Sequence, residues 1–351
     1  MRLEKRIEAF SELGKFLAQF SENTIEKNNS VIGNELFFED FLEEVKNAHH
    51  YNGWFTEENM LFAFTSWANL LTSENLKNWT SGYSVDNSKN KNIAVITAGN
   101  IPLVGFHDFL SVLISGNSIT VKQSSSDSEL LPKIAKYLEF VEPEFKGKIN
   151  FTKGRMDQFD AVIATGSNNT ARYFDYYFGK YPNIIRKNRN SVAVLNGQET
   201  EEDLKNLGED IFRYFGLGCR SVSKVFVPKN YNFDPFFQQI YPYSCLMEYK
   251  KYENNYTYNK AVYLMSKFSL LENGFFILKE DFGYSSPIGT LFYEYYDNAQ
   301  ELQKKLSVDK EKIQCVVGKN KEHHVPFGQT QTPSLTDYAD GINTLDFLSK
   351  L

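Results

Sequence analysis

The chain has 351 residues, with 38 Lys and Arg against 44 Asp and Glu, for a net charge of −6. That length suits two domains or one elaborated domain, and 42% hydrophobic with 23% charged residues excludes wholesale disorder. Mild acidity without a concentrated basic face argues against a nucleic-acid binder.

Residues 1–80 read as helical. Ile7, Phe10, Leu13, Leu17 and Phe20 recur at helical spacing, and Thr56-Glu57-Glu58 opens a segment carrying Leu61, Phe64 and Leu71. The polar stretch Asp86–Lys91 reads as a surface connection. From Ile93 the texture changes to short β-branched runs alternating with helical ones. IAVITAG (93–99) is a buried strand, with a helix expected from Pro102 through Phe106, Phe109, Leu110 and Leu113. SITVK (118–122) is a second strand, followed by a helix opened at Ser126-Asp127. INFTKG (149–154) and AVIATG (161–166) are two more, and a helix follows from Ser167. This βαβαβ rhythm predicts a parallel sheet with crossover helices. Ligands of such sheets bind at the carboxyl ends of the strands, where Gly99-Asn100, Lys122 and Gly166-Ser167 fall.

A second α/β unit follows. SVAVLN (191–196) is a strand, Thr200 caps a helix carrying Leu204, Leu207, Ile211 and Phe215, and VSKVFVP (222–228) is the next strand. Residues 229–260 show no clear period. Strands near 275–278 and 288–295 and a helix at 298–306 complete the unit. The expected division is 1–190 for the helical region with the cofactor domain, 191–320 for the catalytic domain, and 321–351 for a segment returning to the cofactor domain or making oligomer contacts.

Cys219, Cys245 and Cys315 are the only cysteines, too few and too scattered for a disulfide framework, which points to a reducing cytoplasm. MRLEKRIEAF at the N-terminus has no apolar core of a secretory signal. The most apolar stretch, Ala94–Ser115, is interrupted by Asn100, His107 and Asp108, so no membrane span is expected.

Cys219 follows a glycine-broken helix in FRYFGLGCRSVSK. Gly216 and Gly218 would let a substrate approach the backbone, and Arg220 and Lys224 could favour the reactive thiolate. Taken alone, such a residue can equally be a buried inert thiol. Asn100 can be a turn or helix cap, or a side-chain amide aimed at a developing oxyanion. TGSNNTA (165–171) offers exposed N–H groups to a phosphate or ribose but is neither G-x-G-x-x-G nor a Walker A loop. Lys122 could grip ribose hydroxyls or a 2′-phosphate, or simply be solvated. Adjacent pairs His49-His50 and His323-His324 rarely point the same way, HExxH and CxxC are missing, and no metal site is expected.

The strand ending in Asn-x-Pro, GNSITVKQSSSD, TGS after a strand and the glycine-flanked cysteine together resemble the aldehyde dehydrogenase superfamily. Residues 98–127, 186–195, 216–228 and 325–348 are most similar to its acyl-CoA reductase branch, the LuxC-like fatty acid reductases. The resemblance implies an α/β fold with a Rossmann-type parallel-sheet cofactor domain, a second α/β catalytic domain and a helical N-terminal region. It implies Cys219 as the nucleophile and Asn100 as an oxyanion donor beside the cysteine's own N–H. Lys122 would meet the adenosine ribose, Gly166 and Ser167 the cofactor pyrophosphate, and Glu280 and Phe282 in KEDFG the nicotinamide ribose. Aligned on Ser191, Arg186 stands where hydrolytic members carry the glutamate that activates water. Without that base the acyl-enzyme should exchange with CoA or accept hydride instead of hydrolysing. The expected activity is reduction of an acyl-CoA to a fatty aldehyde by NADPH, with NADH nearly as plausible. The expected associations are self-assembly and an acyl-transferring partner protein. Alternatives are an acyl-phosphate reductase, a cysteine acyltransferase or thioesterase without nicotinamide, or a non-catalytic nucleotide-binding relative.

Overall fold

The computed structural model describes residues 1–85, 90–319 and 324–351. Most of the connection at Asp86–Lys91 lies outside the described residues, as does His323. The chain divides into two compact units, Met1–Lys187 with Ser334–Leu351, and Asn188–Pro333.

The first unit opens with α1 (Leu3–Leu17), α2 (Asn34–Tyr51), α3 (Glu57–Leu70) and α4 (Ser73–Thr80). Thr56 caps α3 by accepting the Asn59 N–H at 3.3 Å. The inward faces carry Phe10, Phe16, Phe41 and Phe64, joined by Phe20 from the connection after α1, all fully buried. The Phe16 ring lies 4.8 Å from Phe41 and 4.4 Å from Tyr137. Many of the chain's aromatics are therefore core here.

The sheet of this unit is built by β1 (Asn92–Ile96), α5 (Phe106–Ile114), β2 (Ser118–Lys122), α6 (Leu130–Val141), β3 (Ile149–Thr152), β4 (Ala161–Thr165), α7 (Asn168–Phe178) and β5 (Asn183–Arg186). All pairings are parallel and the order is β3-β2-β1-β4-β5. Alternation divides β1 between two apolar layers: Ile93 and Val95 join the main core, Ala94 and Ile96 the layer under Phe174 and Phe178 of α7. The helix expected from Pro102 begins four residues later, at Phe106. Leu103 takes a left-handed conformation (φ +58°), and a turn fills the interval.

The second unit contains β6 (Asn190–Val194), α8 (Glu201–Phe212), β7 (Val222–Pro228), α9 (Asp234–Gln239), α10 (Lys250–Met265), β8 (Leu270–Glu272), β9 (Ile277–Glu280), β10 (Thr290–Tyr296), α11 (Ala299–Val308) and β11 (Ile313–Val317). The order is β11-β6-β7-β10-β9-β8, parallel except for β8, which runs antiparallel to β9. A full capping box starts α8: Thr200 accepts from the Asp203 N–H, and Asp203 accepts from the Thr200 N–H. The patternless stretch after 229 holds α9, a 3-10 turn at Tyr241–Glu248 and α10. The missed edge strand β11 has an irregular register against β6.

The chain then ends in the first unit with α12 (Thr344–Ser349). Polar contacts fasten this segment. His107 Nε2 is 3.0 Å from Leu335 O, Trp79 Nε1 donates to Tyr338 Oη at 2.8 Å, and Asn343 Nδ2 donates to Tyr83 Oη at 2.7 Å. Arg186 donates to Thr344 Oγ1 at 3.1 Å.

Candidate active site

In the first unit β2 and β4 flank β1, so the chain runs outward in both directions from it. This is the switch point of an open α/β sheet, where a crevice forms outside the carboxyl strand ends. Four sequence-predicted residues lie along that edge. Lys122 ends β2, half-buried, in register with Ile96 of β1. Asn100 sits half-buried in the turn after β1, whose Gly99 carbonyl accepts from Asn52 Nδ2 at 3.2 Å. It caps no helix, because Gly105 occupies that position for α5. Gly166 follows β4 at a close approach: a Cβ there would stand 3.0 Å from both Thr170 and Phe174. Ser167 caps α7, accepting from the Thr170 N–H at 3.2 Å.

Arg186 turns into the core of this unit. It is 4% exposed, forms a two-pronged ion pair with Asp108, and reaches Thr344. Asp127, the first carboxylate after β2, is 4% exposed, and burial pushes its pKa up to about 7. One of its oxygens, Oδ1, has no hydrogen-bond partner.

In the second unit Cys219 occupies the turn between α8 and β7, at the amino end of the strand, and its side chain is exposed. It is not the buried inert thiol that sequence allows. Tyr214 (φ +56°), Phe215 (φ +57°) and Gly216 (φ +75°) are left-handed in succession. For the two aromatics this costs on the order of 1–2 kcal/mol each. Packing supports it: both are buried, and the Phe215 ring lies 5.2 Å from Tyr249.

The turn is held from several directions. Ser221 N–H donates to Gly218 O at 3.0 Å, closing it. Ser191 of β6, fully buried, donates its hydroxyl to Cys219 O at 3.0 Å and lies 3.0 Å from Cys315 Sγ of β11. Since that hydroxyl proton points at the carbonyl, the Cys315 S–H is the donor to Ser191. Arg220 donates to Thr330 O, and Gln331 Nε2 donates to Ser221 Oγ at 3.1 Å. Asp210 of α8 accepts from Gly328 N and Thr330 N at 2.7 and 2.9 Å. Burial pushes its pKa up to about 6, against those two bonds.

The basic residues beside Cys219 do other work than sequence suggested. Arg220 is directed at Thr330, and Lys224 is fully buried, 2.6 Å from Glu294. Burial lowers the Lys224 pKa, opposed by Glu294. A cavity of about 220 Å³ adjoins Cys219, lined by the aromatics Phe212, Phe215, Tyr252 and Phe276 and by polar Asn190, Ser221 and Ser285 among others. Glu280 ends β9 and is exposed, as is Phe282, at 77%. Cys245, also exposed, donates to Pro242 O at 3.5 Å.

Among the described residues no cluster of three His, Cys, Asp or Glu could hold a metal ion, and no helix is long and apolar enough to cross a membrane. Sequence reading did not single out Asp210 or the left-handed pair Tyr214 and Phe215, the second of which it placed on the helix. A glycine after an aromatic pair was the one available signal for the latter.

Comparison with known proteins adds to this geometry. The family described as acyl-CoA reductase (LuxC) matches residues 74–237, a span that includes Asn100, Lys122, Gly166, Ser167 and Cys219. Aldehyde dehydrogenase 21 from Physcomitrella patens, solved with the reaction product succinate, is similar over 100% of this chain and 84% of its own. The TM-score is 0.67 at 11% identity. An aldehyde dehydrogenase from Bacillus cereus, solved with NAD+, is similar over 92% of this chain and 73% of its own, with TM-score 0.57 and 13% identity. An indole-3-acetaldehyde dehydrogenase, also with NAD+, covers 92% of this chain and 74% of its own, with TM-score 0.60 and 13% identity. At such identities the likeness shows the fold, which is that of the aldehyde dehydrogenases. None of the curated proteins matches.

Proposed function

We propose a mechanism from the premise that this chain is an enzyme of the acyl-CoA reductase (LuxC) type, an aldehyde-related oxidoreductase on the aldehyde dehydrogenase fold. Its substrates are an acyl-CoA thioester and NADPH, and its product is an aldehyde. The observation that carries this reading is the exposed Cys219 on a glycine-flanked, multiply anchored turn beside a cavity, inside the matched span.

The Cys219 thiolate attacks the thioester carbonyl carbon. The tetrahedral oxyanion is met by the Cys219 N–H and, as the resemblance assigns it, by the Asn100 amide. Collapse expels the CoA thiolate and leaves an S-acyl cysteine. A nicotinamide, when bound, would supply hydride to the acyl carbon; the Cys219 C–S bond then breaks, releasing the aldehyde and restoring the thiolate. Arg186, in the position of a hydrolytic base, is committed to Asp108 and Thr344 and can take no proton from water. This supports an acyl-enzyme that persists until it is reduced or exchanged with CoA.

The carboxyl edge of the first sheet fits a dinucleotide by the chemistry of its donors. Gly166 and Ser167 lie beside the amino end of α7, suited to a pyrophosphate, and Lys122 is suited to the adenosine ribose. An acidic residue near the end of β2 would select a 2′-hydroxyl, but the first carboxylate there, Asp127, is buried. Lys122 instead pairs in register with Thr152, which precedes the exposed Lys153 and Arg155. That cationic edge favours a 2′-phosphate, hence NADPH over NADH. Glu280 and Phe282 are assigned to the nicotinamide ribose.

Self-association belongs to the same reading. It is supported by exposed Tyr258, Leu264, Met265 and Leu271 on and after α10. An acyl-transferring protein would act as donor.

The test mixes pure protein with an acyl-CoA chain-length series and either nucleotide, following nucleotide oxidation, CoA thiol and aldehyde. Equal CoA and aldehyde yields, with a lower KM for NADPH, are expected. CoA release at one rate with and without nucleotide, and no aldehyde, would make the protein an acyltransferase or thioesterase. Turnover of an acyl phosphate but of no acyl-CoA would make it an acyl-phosphate reductase.

A further inference from the structure

Two lysines of the second unit have no part in the chemistry above, and both are buried. Lys224 on β7 is fully enclosed and Lys279 on β9 is 5% exposed. A buried ammonium is costly unless paired and hydrogen-bonded, so the partners of each show what it holds in place. β10 lies between the two strands, and Phe292 is in register with both lysines, giving one row Lys224–Phe292–Lys279 across the sheet. Aromatic rings wall in Lys279: its Nζ is 4.2 Å from the centroid of Phe268 and 5.4 Å from those of Tyr263 and Phe292.

Both ammonium groups converge on one residue. Lys279 donates to the Asp281 carboxylate, whose other oxygen accepts from the Gly283 N–H at 2.7 Å. Lys224 donates to the Asp281 backbone carbonyl at 3.0 Å and to Glu294 at 2.6 Å. The segment then continues past β7. Ser223 donates to Tyr284 O at 2.6 Å, the Tyr284 ring lies 4.9 Å from Lys224 Nζ, and Ser285–Thr290 go on to line the Cys219 cavity. The residues on either side of Asp281, Glu280 and Phe282, are exposed.

We propose that Asp281, clamped by Lys279 and Lys224, is a positioning residue that presents Glu280 and Phe282 to the nicotinamide ribose. This rests on the ribose assignment of those two residues given above. The physical reason is that a short exposed segment has no shape of its own. Two buried cations, on the strands either side of β10, hold Asp281 by its backbone carbonyl and its carboxylate, and the free energy of ordering the segment is spent on folding, not on binding nucleotide.

The experiment compares Asp281→Asn, Lys279→Met and the conservative Asp281→Glu with Glu280→Gln and Phe282→Leu. NADPH KM and NADPH Kd by fluorescence titration are read beside two nucleotide-independent signals, iodoacetamide alkylation of Cys219 and the burst of CoA release. Asp281→Asn and Lys279→Met are expected to raise NADPH KM and Kd about tenfold, the scale of one charge-assisted hydrogen bond. Alkylation and burst should hold at the wild-type rate, and Asp281→Glu should regain part of the affinity. An unchanged NADPH Kd in Asp281→Asn and Lys279→Met, with a raised Kd in Glu280→Gln and Phe282→Leu, overturns the clamp alone. An unchanged Kd in all of them overturns the ribose assignment and the clamp with it. Loss of alkylation and burst in step with Kd would show general support of the unit and also overturns the positioning role.

Discussion

The two units place their candidate residues by different physical means. In the first, Asn100, Lys122, Gly166 and Ser167 follow the carboxyl ends of parallel strands, where sheet topology alone opens a crevice. In the second, Cys219 precedes its strand, and its turn is made by side chains. Two left-handed aromatics reverse the chain, and Ser191, Arg220 and Gln331 hold the residues beside it. A crevice set by topology tolerates changes of side chain around it. A turn set by packing and hydrogen bonds depends on each contributor.

The largest effect tests which unit holds the nucleophile. Cys219→Ala should abolish acyl-CoA-dependent NADPH oxidation while the melting temperature stays put, and Cys245→Ala and Cys315→Ala should retain turnover. Residual oxidation in the Cys219 variant would remove the nucleophile from the second unit.

Next comes the commitment of Arg186 to the first unit's core. Arg186→Met strands Asp108 as an uncompensated buried charge and should cost about 3–5 kcal/mol in urea unfolding. Adding Asp108→Leu should recover most of that loss. A neutral single variant would mean that Arg186 is not structural.

Asn100→Ala should lower kcat on the order of 100- to 1000-fold, the cost of one oxyanion donor, with little change in stability. A change confined to KM would reassign Asn100 from transition-state contact to substrate binding.

The smallest effect is a pH slope in the first unit. The folded-state pKa of Asp127, about 7, lies above the ordinary carboxylate value. Between about pH 4 and 7 the folded protein therefore holds a proton that the unfolded chain lacks, and stability falls as pH rises through that window. Asp127→Asn should remove this component from a pH series of unfolding free energies. His107 works in the opposite sense: burial lowers its pKa, so its contribution to stability falls as pH drops below the unfolded value near 6.5. An unaltered pH series in Asp127→Asn would show that the carboxyl is charged in the folded state.

Most of the first unit was legible because its signals are local. β-branched runs mark β2 and β4, and Ser167 stands at a helix start where a short hydroxyl side chain satisfies a free N–H group, as Thr200 does in the second unit. The late start of α5 was not legible, since Pro102 is a good first helical residue and nothing local says that Leu103 turns left-handed. The same holds for β5 and β11, which are short edge strands with little pattern of their own.

Sequence by itself determined the alternation of strands and helices, the motif order through Asn100, Lys122, Ser167 and Cys219, and a single distinctive cysteine, because these depend on residue type and spacing along the chain. Tertiary structure decided the rest. Arg186 looked like a lost base and is half of a buried ion pair, and Lys224 looked like a thiolate partner and is bonded to Glu294 and Asp281. An ionic side chain's role depends on which opposite charge the fold brings within reach, and those partners lie tens of residues away in the chain.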